Sequence, residues 1–266
     1  MTLSKFLRGS LLSSCAASLL LLTSCQVVPE TGRRQLILMS VSQETQLGLS
    51  SFEKIKKETP RSKNAAQQAM VQRVGQRIAA VANLPGANWE FVLFESPQAN
   101  AFCLPGGKVG IYTGILPVTK DEAGLATVMG HEVAHAVARH GAERVSESML
   151  WSAGGKLLGG SIDKYSPQTQ ALIMGAYGIG TQVGRQLPHS RSQESEADRI
   201  GLIYMARAGY DPAAAVSFWQ RFQAYNEKNG GASTPWFLRT HPLNQTRIKR
   251  IQDWLPEARA QYRPRR

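Results

Sequence analysis

Apolar residues recur with helical spacing after the first sixty residues. The segment 64–81 is predicted to be a helix because four of them fall at i, i+4, i+8 and i+11, namely Met70, Val74, Ile78 and Val81. A weaker pattern of the same period, with Leu47 and Ile55 among polar neighbours, predicts a helix over 40–57. Both segments are expected to pack one face against a core.

The pattern then changes to short runs of aromatic and branched residues. Segments 89–94 and 109–113 are predicted strands, and the turn-rich segment 100–107 connects them. We therefore expect a small antiparallel sheet with one open edge among the helices. This order of elements predicts an α+β fold.

The N-terminus has the pattern of an export signal. Lys5 and Arg8 precede an apolar run, 11–22, that is shorter than the roughly 20 residues of a membrane span. The run ends in Leu22-Thr23-Ser24-Cys25, which resembles a bacterial lipobox. The resemblance predicts a signal peptide over 1–24 and lipidation of Cys25, whereas an ordinary secretory signal is the alternative. Gln26 after the cysteine predicts a periplasm-facing lipoprotein of the bacterial envelope, at the outer membrane.

Composition and charge limit the possible partners. With 42% hydrophobic and 19% charged residues, the 266-residue chain can bury a sizeable core. The formal net charge of +12 favours an anionic surface such as lipid. A nucleic-acid partner is not expected, because the chain lacks a basic stripe interleaved with aromatic residues. We predict a tether over 25–39, one domain over 40–258 and a basic tail over 259–266.

A histidine pair identifies the candidate chemistry. His131-Glu132-Val133-Ala134-His135 follows an apolar helical pattern that begins at the capping-box sequence 119–122. On a helix, the two histidines at i and i+4 project from one face and can hold one zinc ion. Glu132 points to the adjacent side, where it can act as general base on an attacking water. Two surface histidines on an amphipathic helix are the alternative.

A catalytic zinc ion needs a third protein ligand and an open fourth position. Glu194 and Asp198 share a face of another predicted helix. Glu194 is the candidate ligand, and Asp198 could accept a hydrogen bond from a ligating histidine. A solvated acidic helix start is the alternative, because carboxylates favour the first turn.

Several motifs together resemble a known family. The histidine motif, Glu194-x-x-Ala197-Asp198 and Thr240-His241-Pro242 with Arg247 are similar to the Ste-type CAAX prenyl protease and HtpX family of gluzincin zinc metallopeptidases. The similarity extends to segments 31–35, 100–107 and 138–144. Within the family, the chain resembles the soluble lipoprotein branch (BepA-like and LoiP-like, without the tetratricopeptide domain) and the peptidase domain of mitochondrial quality-control members.

The resemblance implies a role for each matching residue. It implies one zinc ion per chain held by His131, His135 and Glu194, with Glu132 as base and Asp198 supporting a ligand. His241 would stabilise the oxyanion or occupy the open metal position at rest. If the resemblance is left aside, His241 is interpreted as a helix-cap or turn residue.

Asn100, Ala101 and Phe102 would form the strand edge on which an extended peptide pairs. The plainer reading of Asn100 is a turn residue. Arg247 would tie the His241 loop to a carboxylate or lie on the surface.

These inferences combine into one expected function. We expect a mainly helical, zincin-like peptidase domain with a small antiparallel sheet, acting on unfolded or misassembled envelope proteins and reaching the membrane through lipidated Cys25. The alternatives are a non-proteolytic chaperone or binding protein with a latent zinc site, and an amidase acting on cell-wall peptide. The Gly-rich segment 151–184 is predicted either as a lid over the cleft or as a buried helix.

Overall fold

The computed structural model describes residues 25–155, Gly175, 190–229, 235–243 and 245–264. The described elements, in chain order, are β1 (Cys25–Val27), β2 (Arg34–Leu36), α1 (Val41–Glu58), α2 (Ala65–Ala79), β3 (Glu90–Phe94), β4 (Ala101–Leu104), β5 (Lys108–Tyr112), a 3-10 turn (Thr113–Ile115), α3 (Leu116–Thr119), α4 (Glu122–Val137), α5 (His140–Gly155), α6 (Arg191–Arg207), α7 (Ala214–Asn229), α8 (Trp236–Thr240) and α9 (Gln245–Ala260). The predicted mainly helical α+β class is confirmed.

The main sheet has three strands in the order β3-β5-β4. β4 and β5 form an antiparallel hairpin, whereas β3 pairs with β5 in parallel. The parallel pair differs from the expected all-antiparallel sheet. The reason is that the hairpin returns β5 between the two earlier strands, so β3 and β4 lie on opposite sides of it.

Each face of this sheet is covered, which explains why its strands are apolar throughout. Phe91 and Leu93 face the main core shared with α2 and α4. Val92 and Phe94 face a second cluster that includes Phe52 of α1. The alternation follows from the two-residue period of a strand.

Two helices cross closely to form the centre of the molecule. α4 begins after Asp121, whose carboxylate accepts from the Gly124 amide at 2.8 Å, so the N-cap is Asp121 and not Thr119 of the predicted capping box. α4 packs against α6 at Gly130 and Gly201, where a Cβ added to Gly130 would lie only 2.9 Å from the Gly201 carbonyl oxygen. Glycine at this crossing lets the two backbones approach, and the functional side chains of both helices therefore meet.

The segment 25–39, predicted as a tether, is folded onto the body. β1 and β2 pair antiparallel, and Val28, Ile37 and Met39 are buried. Burial of these three apolar side chains explains why the segment does not form a loose linker. This N-terminal hairpin, residues 25–39, contacts α5 through Ile37 and Val145. The domain boundaries at 24, 39 and 258 remain predictions.

Two further predictions concern membranes and the region after α4. Within the described residues, the helices lack the length and apolar character needed to cross a bilayer. The predicted lid or buried helix, 151–184, lies largely outside the described residues, which include only 151–155 and Gly175 of it.

Candidate active site

Four side chains from three parts of the chain converge at the crossing of α4 and α6. One donor atom from each lies within 4.8 Å of all the others, and all four residues are buried: His131, His135, Glu194 and His241. His131 Nε2 lies 3.1 Å from both His135 Nε2 and His241 Nδ1. Glu194 Oε1 lies 3.2 Å from His135 Nε2 and 2.9 Å from His241 Nδ1. The sequence-predicted ligands and His241 are therefore brought together.

Local structure places each donor. His131 and His135 lie one turn apart on α4 and point to the same side, as their spacing predicts. Glu194 stands in the first turn of α6, which a Ser190–Gln193 capping box begins. His241 follows α8, and its amide donates to the Phe237 carbonyl at 2.9 Å, which fixes its backbone.

Asp198 supports His131 from one turn further along α6. Its Oδ1 lies 2.9 Å from His131 Nδ1, on the ring edge away from the other donors. A carboxylate accepts only, so a proton on Nδ1, facing Asp198, would leave the lone pair of a neutral His131 on Nε2. Asp198 thus lies beside a predicted ligand histidine, and its supporting role remains a prediction.

Arg247 is a buried link between the acidic residues and the His241 loop. Its guanidinium donates to Asp198 at 2.7 and 2.8 Å and lies 2.7 Å from Glu194 Oε2. It also donates to the His241 and Pro242 carbonyls, at 3.3 and 3.2 Å. Its Cζ atom lies 3.8 Å from the centre of the Trp219 ring. Of the two readings of Arg247, the structure supports the tie to a carboxylate.

Glu132 is buried beside the four donors. Its Oε1 lies 3.4 Å from His241 Nε2 and has no hydrogen-bond partner among the described residues. Burial raises the pKa of the Glu132 carboxyl, and the nearby His241, His131 and Arg247 oppose that rise. A carboxylate with a raised pKa next to a polar cluster is suited to proton transfer.

Positively charged neighbours lower the pKa values of two buried carboxyl groups. Burial disfavours the ionised form of Glu194, but His241, Arg247 and His131 hold the pKa of its carboxyl well below its ordinary range. Burial likewise opposes ionisation of Asp198, and Arg247 lowers its pKa. Both carboxylates are therefore anionic, which suits them to bind or support a cation.

A second set of polar residues lies behind His135, and the motif spacing did not reveal it. His140 Nδ1 lies 2.8 Å from His135 Nδ1, and His140 Nε2 lies 2.9 Å from Glu196 Oε2. His140 reaches this position because α4 ends at Val137 and Arg139 adopts a positive φ of 55°. If α4 continued through residue 140, the His140 ring would point away from His135. In the sequence, only the similarity of segment 138–144 to the family indicated this region.

Ala101 and Phe102 begin β4, the strand next to α4, and Asn100 directly precedes it. Phe102 faces the second core cluster, so its ring supports the sheet. Asn100 is buried, and its Oδ1 has no hydrogen-bond partner among the described residues. The Ala99 carbonyl, just before them, accepts from the Phe237 amide of α8 at 3.1 Å.

Comparison with known proteins identifies the family. The model of Peptidase family M48 matches residues 65–255, which include every donor described above. This chain belongs to peptidase family M48. The match confirms the peptidase family expected from the motifs.

Three relatives illustrate the range of the M48 match. The chain is 42% identical to the mitochondrial metalloendopeptidase OMA1 of Schizosaccharomyces pombe over 71% of its length and 53% of the relative's. It is 30% identical to human OMA1, over 89% of this chain and 47% of the relative. It is 29% identical to the beta-barrel assembly-enhancing protease of Escherichia coli K12, over 85% and 46%. The chain thus spans about half the length of these relatives.

The relatives correct the predicted location. The prediction of a bacterial envelope, with the protein at the outer membrane, is wrong, since relatives from yeast, plant and mammal at 30 to 42% identity are mitochondrial metalloendopeptidases. The prediction depended on the first 26 residues, and their basic and apolar pattern is separate from the M48 match, which begins at residue 65. The residues of the candidate active site do not indicate the cellular compartment of the protein.

Proposed function

We propose that this chain is a zinc endopeptidase that hydrolyses peptide bonds in unfolded or misassembled proteins. The observation that carries the proposal is the convergence of three nitrogen donors and one carboxylate beside the buried Glu132. Metal-dependent peptide hydrolysis combines a metal site that activates water with a nearby base that takes its proton. Both are supplied here by residues within the M48 match.

The donor set fits zinc. Zinc binds imidazole nitrogen and carboxylate oxygen at about 2.0–2.1 Å, so neighbouring corners of a tetrahedron lie about 3.3 Å apart. The measured separations between donors, from 2.9 to 3.2 Å for four of the pairs, are close to that value. His131, His135 and Glu194 would hold the ion, as in other catalytic sites with two histidines and one glutamate.

Each residue around the site would then have a separate task. A bound zinc ion would polarise the scissile carbonyl and lower the pKa of the attacking water. Glu132 accepts the proton of that water and returns it to the leaving amine. Asp198 holds the ring of His131, and Arg247 holds Asp198 and the His241 loop.

His241 would offer a fourth donor to a bound ion. Catalytic zinc sites keep the fourth position open, whereas four protein ligands are typical of a closed site. We therefore infer that the structure corresponds to a resting arrangement in which His241 is the fourth donor. Catalysis requires its Nδ1 to move away, after which the ring could donate to the oxyanion from nearby.

The substrate is proposed to pair with β4 as an added strand. Asn100 already pairs with Tyr112 of β5, and hydrogen-bonded positions alternate in an antiparallel pair. The backbone groups of Ala101 and Cys103 therefore point to the edge away from β5. Pairing through backbone groups tolerates many sequences but requires an extended chain. The buried Asn100 Oδ1, which has no hydrogen-bond partner among the described residues, would accept an amide of the substrate.

The same edge is buried in the resting arrangement, because Ala101 and Cys103 are only 3% and 5% exposed. α8 helps to bury this edge, since the Phe237 amide of α8 already donates a hydrogen bond to the Ala99 carbonyl. His241 directly follows α8. Displacement of α8 would thus open the metal position and the start of the edge together.

Two comparisons of substrates test the proposal. One test protein is offered in folded and in chemically unfolded form, and we expect cleavage of the unfolded form alone. In a cleaved peptide, N-methylation at alternate amides should block cleavage, while methylation at the amides between them is tolerated. Equal cleavage of the folded form, or insensitivity to every methylated position, would contradict strand pairing.

The name of the E. coli relative, a beta-barrel assembly-enhancing protease, supports substrates that are incompletely assembled.

A second candidate function, a binding protein with a latent zinc site, is favoured by one observation, namely the four protein donors around one point. A closed site has no use for the buried base Glu132. Zinc-dependent cleavage therefore separates the two.

Removal of residues 1–24 and lipidation of Cys25, as in a lipoprotein branch of the family, remain proposals made from the sequence. Cys25 pairs with Leu36 at the start of the N-terminal hairpin, so a lipid there would lie next to the folded body. The intact mass of protein extracted from its native membrane tests both. A mass without acyl chains would contradict the lipidation.

A further inference from the structure

The two ligand histidines of α4 are supported in different ways. His131 contacts the carboxylate of Asp198 directly, at 2.9 Å. His135 instead contacts a second histidine, since its Nδ1 lies 2.8 Å from His140 Nδ1. A ligating histidine ordinarily donates its second ring nitrogen to a carboxylate, a carbonyl or water.

The hydrogen bonds around His140 assign the protons of both rings. Glu196 Oε2 accepts from His140 Nε2 at 2.9 Å, so that nitrogen carries a proton. Two nitrogens 2.8 Å apart share one proton, and in neutral rings His140 Nδ1 accepts while His135 Nδ1 donates. His135 Nε2 is then left with its lone pair directed at Glu194 and the other donors.

The chain of contacts continues into the N-terminal hairpin. The Arg33 Nε donates to Glu196 Oε2 at 2.6 Å, and the Thr31 hydroxyl donates to the other oxygen. The two terminal nitrogens of the Arg33 guanidinium donate to the two carboxylate oxygens of Glu143 of α5, at 2.6 and 2.9 Å. Gly32, with a φ of 72°, forms the turn that lets Thr31 and Arg33 both reach Glu196.

The hairpin is itself held against the helices that carry the site. Gln35 Nε2 donates to the Ala138 carbonyl at 2.9 Å, at the end of α4. The Leu38 amide donates to the Ser146 hydroxyl of α5, also at 2.9 Å. These bonds place Arg33 in a fixed position relative to His135 and His140.

We propose that the N-terminal hairpin orients the metal ligand His135, with Arg33, Glu196 and His140 as positioning residues that act in series. The inference rests on the metal site proposed above. It assigns a use to segment 31–35, which the chemistry of peptide hydrolysis leaves without one. A residue distant in sequence from the metal ligands would thereby control how tightly the ion is bound.

Zinc affinity is the direct measurement, and the chain offers a matched control. Arg33 and Arg34 are adjacent in the N-terminal hairpin, but Arg34 is exposed, so R33A and R34A remove the same charge from neighbouring positions. The full-length protein is titrated with zinc against a chromophoric chelator. We expect H140F to weaken zinc binding by about 10–100-fold, the usual effect of losing the direct partner of a ligand, and E196Q and R33A to weaken it in the same direction by less. R34A should bind as the wild type does.

A double variant separates positioning from loss of structure. If the residues act in series, R33A combined with H140F should bind zinc no more weakly than H140F alone. Cobalt-substituted R33A should also show an altered visible absorption spectrum, which reports ligand geometry. T31V, which removes one hydroxyl donor, gives a milder version of the same test if R33A does not fold.

The outcomes are distinct. Equal zinc affinity of R33A and R34A, an unchanged cobalt spectrum, or additive losses in the double variant would overturn the proposal. A wild-type protein that binds no zinc would overturn the proposed function itself, and that result is visible before any variant is made. Failure of the positioning role alone leaves the wild-type stoichiometry at about one zinc per chain.

Discussion

The carboxylate of Asp198 is shared by two buried partners, His131 and Arg247. Its Oδ1 lies 2.9 Å from His131 Nδ1, and the Arg247 guanidinium donates to both of its oxygens. One acidic residue thus orients a ligand histidine and fixes the arginine that holds the His241 loop. The metal site and the loop that closes it are therefore parts of one hydrogen-bonded unit.

Replacing Asp198 by asparagine should weaken metal binding. The amide can present a donor to His131 Nδ1, which would reverse the ring's protonation and remove the lone pair from Nε2. We expect a loss of zinc affinity of about 10–100-fold, measured by chelator competition. D253N, at an exposed carboxylate on α9, is the control and should bind normally. Equal affinity of the two variants would argue against a supporting role for Asp198.

Removing Arg247 should destabilise the metal-free protein strongly. The substitution R247A leaves Asp198 and Glu194 buried without their cation, and breaking a buried pair in this way costs about 3–5 kcal/mol. R250A, one turn along the same helix, removes an exposed arginine that contacts Ser195. Chemical denaturation of both variants measures the free energy of unfolding. A similar small change in each would mean that the buried pair adds no stability.

The crossing of α4 and α6 should tolerate no side chain at Gly130. A Cβ there would meet the Gly201 carbonyl oxygen at 2.9 Å, so the two backbones must separate. Overpacking of this kind costs about 1–3 kcal/mol. Because His131 follows Gly130 and Glu194 lies on the other helix, G130A should lower zinc affinity as well as stability. Unchanged zinc affinity in a folded G130A protein would show that the crossing does not set the donor spacing.

The fourth donor can be tested by spectroscopy. If His241 Nδ1 binds the ion at rest, the cobalt-substituted wild type contains four protein ligands, and H241A should exchange one of them for water. We expect a changed visible spectrum and weaker metal binding in H241A. H189A, which alters a histidine of the segment before α6, serves as the comparison. Identical spectra for wild type and H241A would exclude His241 as a resting ligand.

Much of the site was predictable because helical spacing is a local property. His131 and His135 at i and i+4, and Glu194 and Asp198 at the same interval, share faces for reasons that depend only on the helix. The meeting of those two helices was not predictable from spacing. It depends on Gly130 and Gly201, whose role appears only once both backbones are placed.

Other features escaped prediction for a physical reason of the same kind. Segment 25–39 contains Pro29, Gly32 and two arginines, a composition typical of a loop, yet burial of Val28, Ile37 and Met39 folds it onto α5. The turn at Arg139 ends α4 early and brings His140 to His135. The parallel pairing of β3 with β5 likewise depends on strand order, which two short apolar runs do not encode.

The central claim is that the metal site works with Glu132 as its base to cut protein. The most direct test compares wild type and E132Q, both with measured zinc content, on the same unfolded test protein. The account predicts about one zinc per chain in each, cleavage by the wild type, and a loss of cleavage in E132Q of at least about 100-fold, the lower range for general base catalysis. Cleavage by zinc-loaded E132Q at the wild-type rate, or zinc binding without cleavage in both proteins, would contradict it.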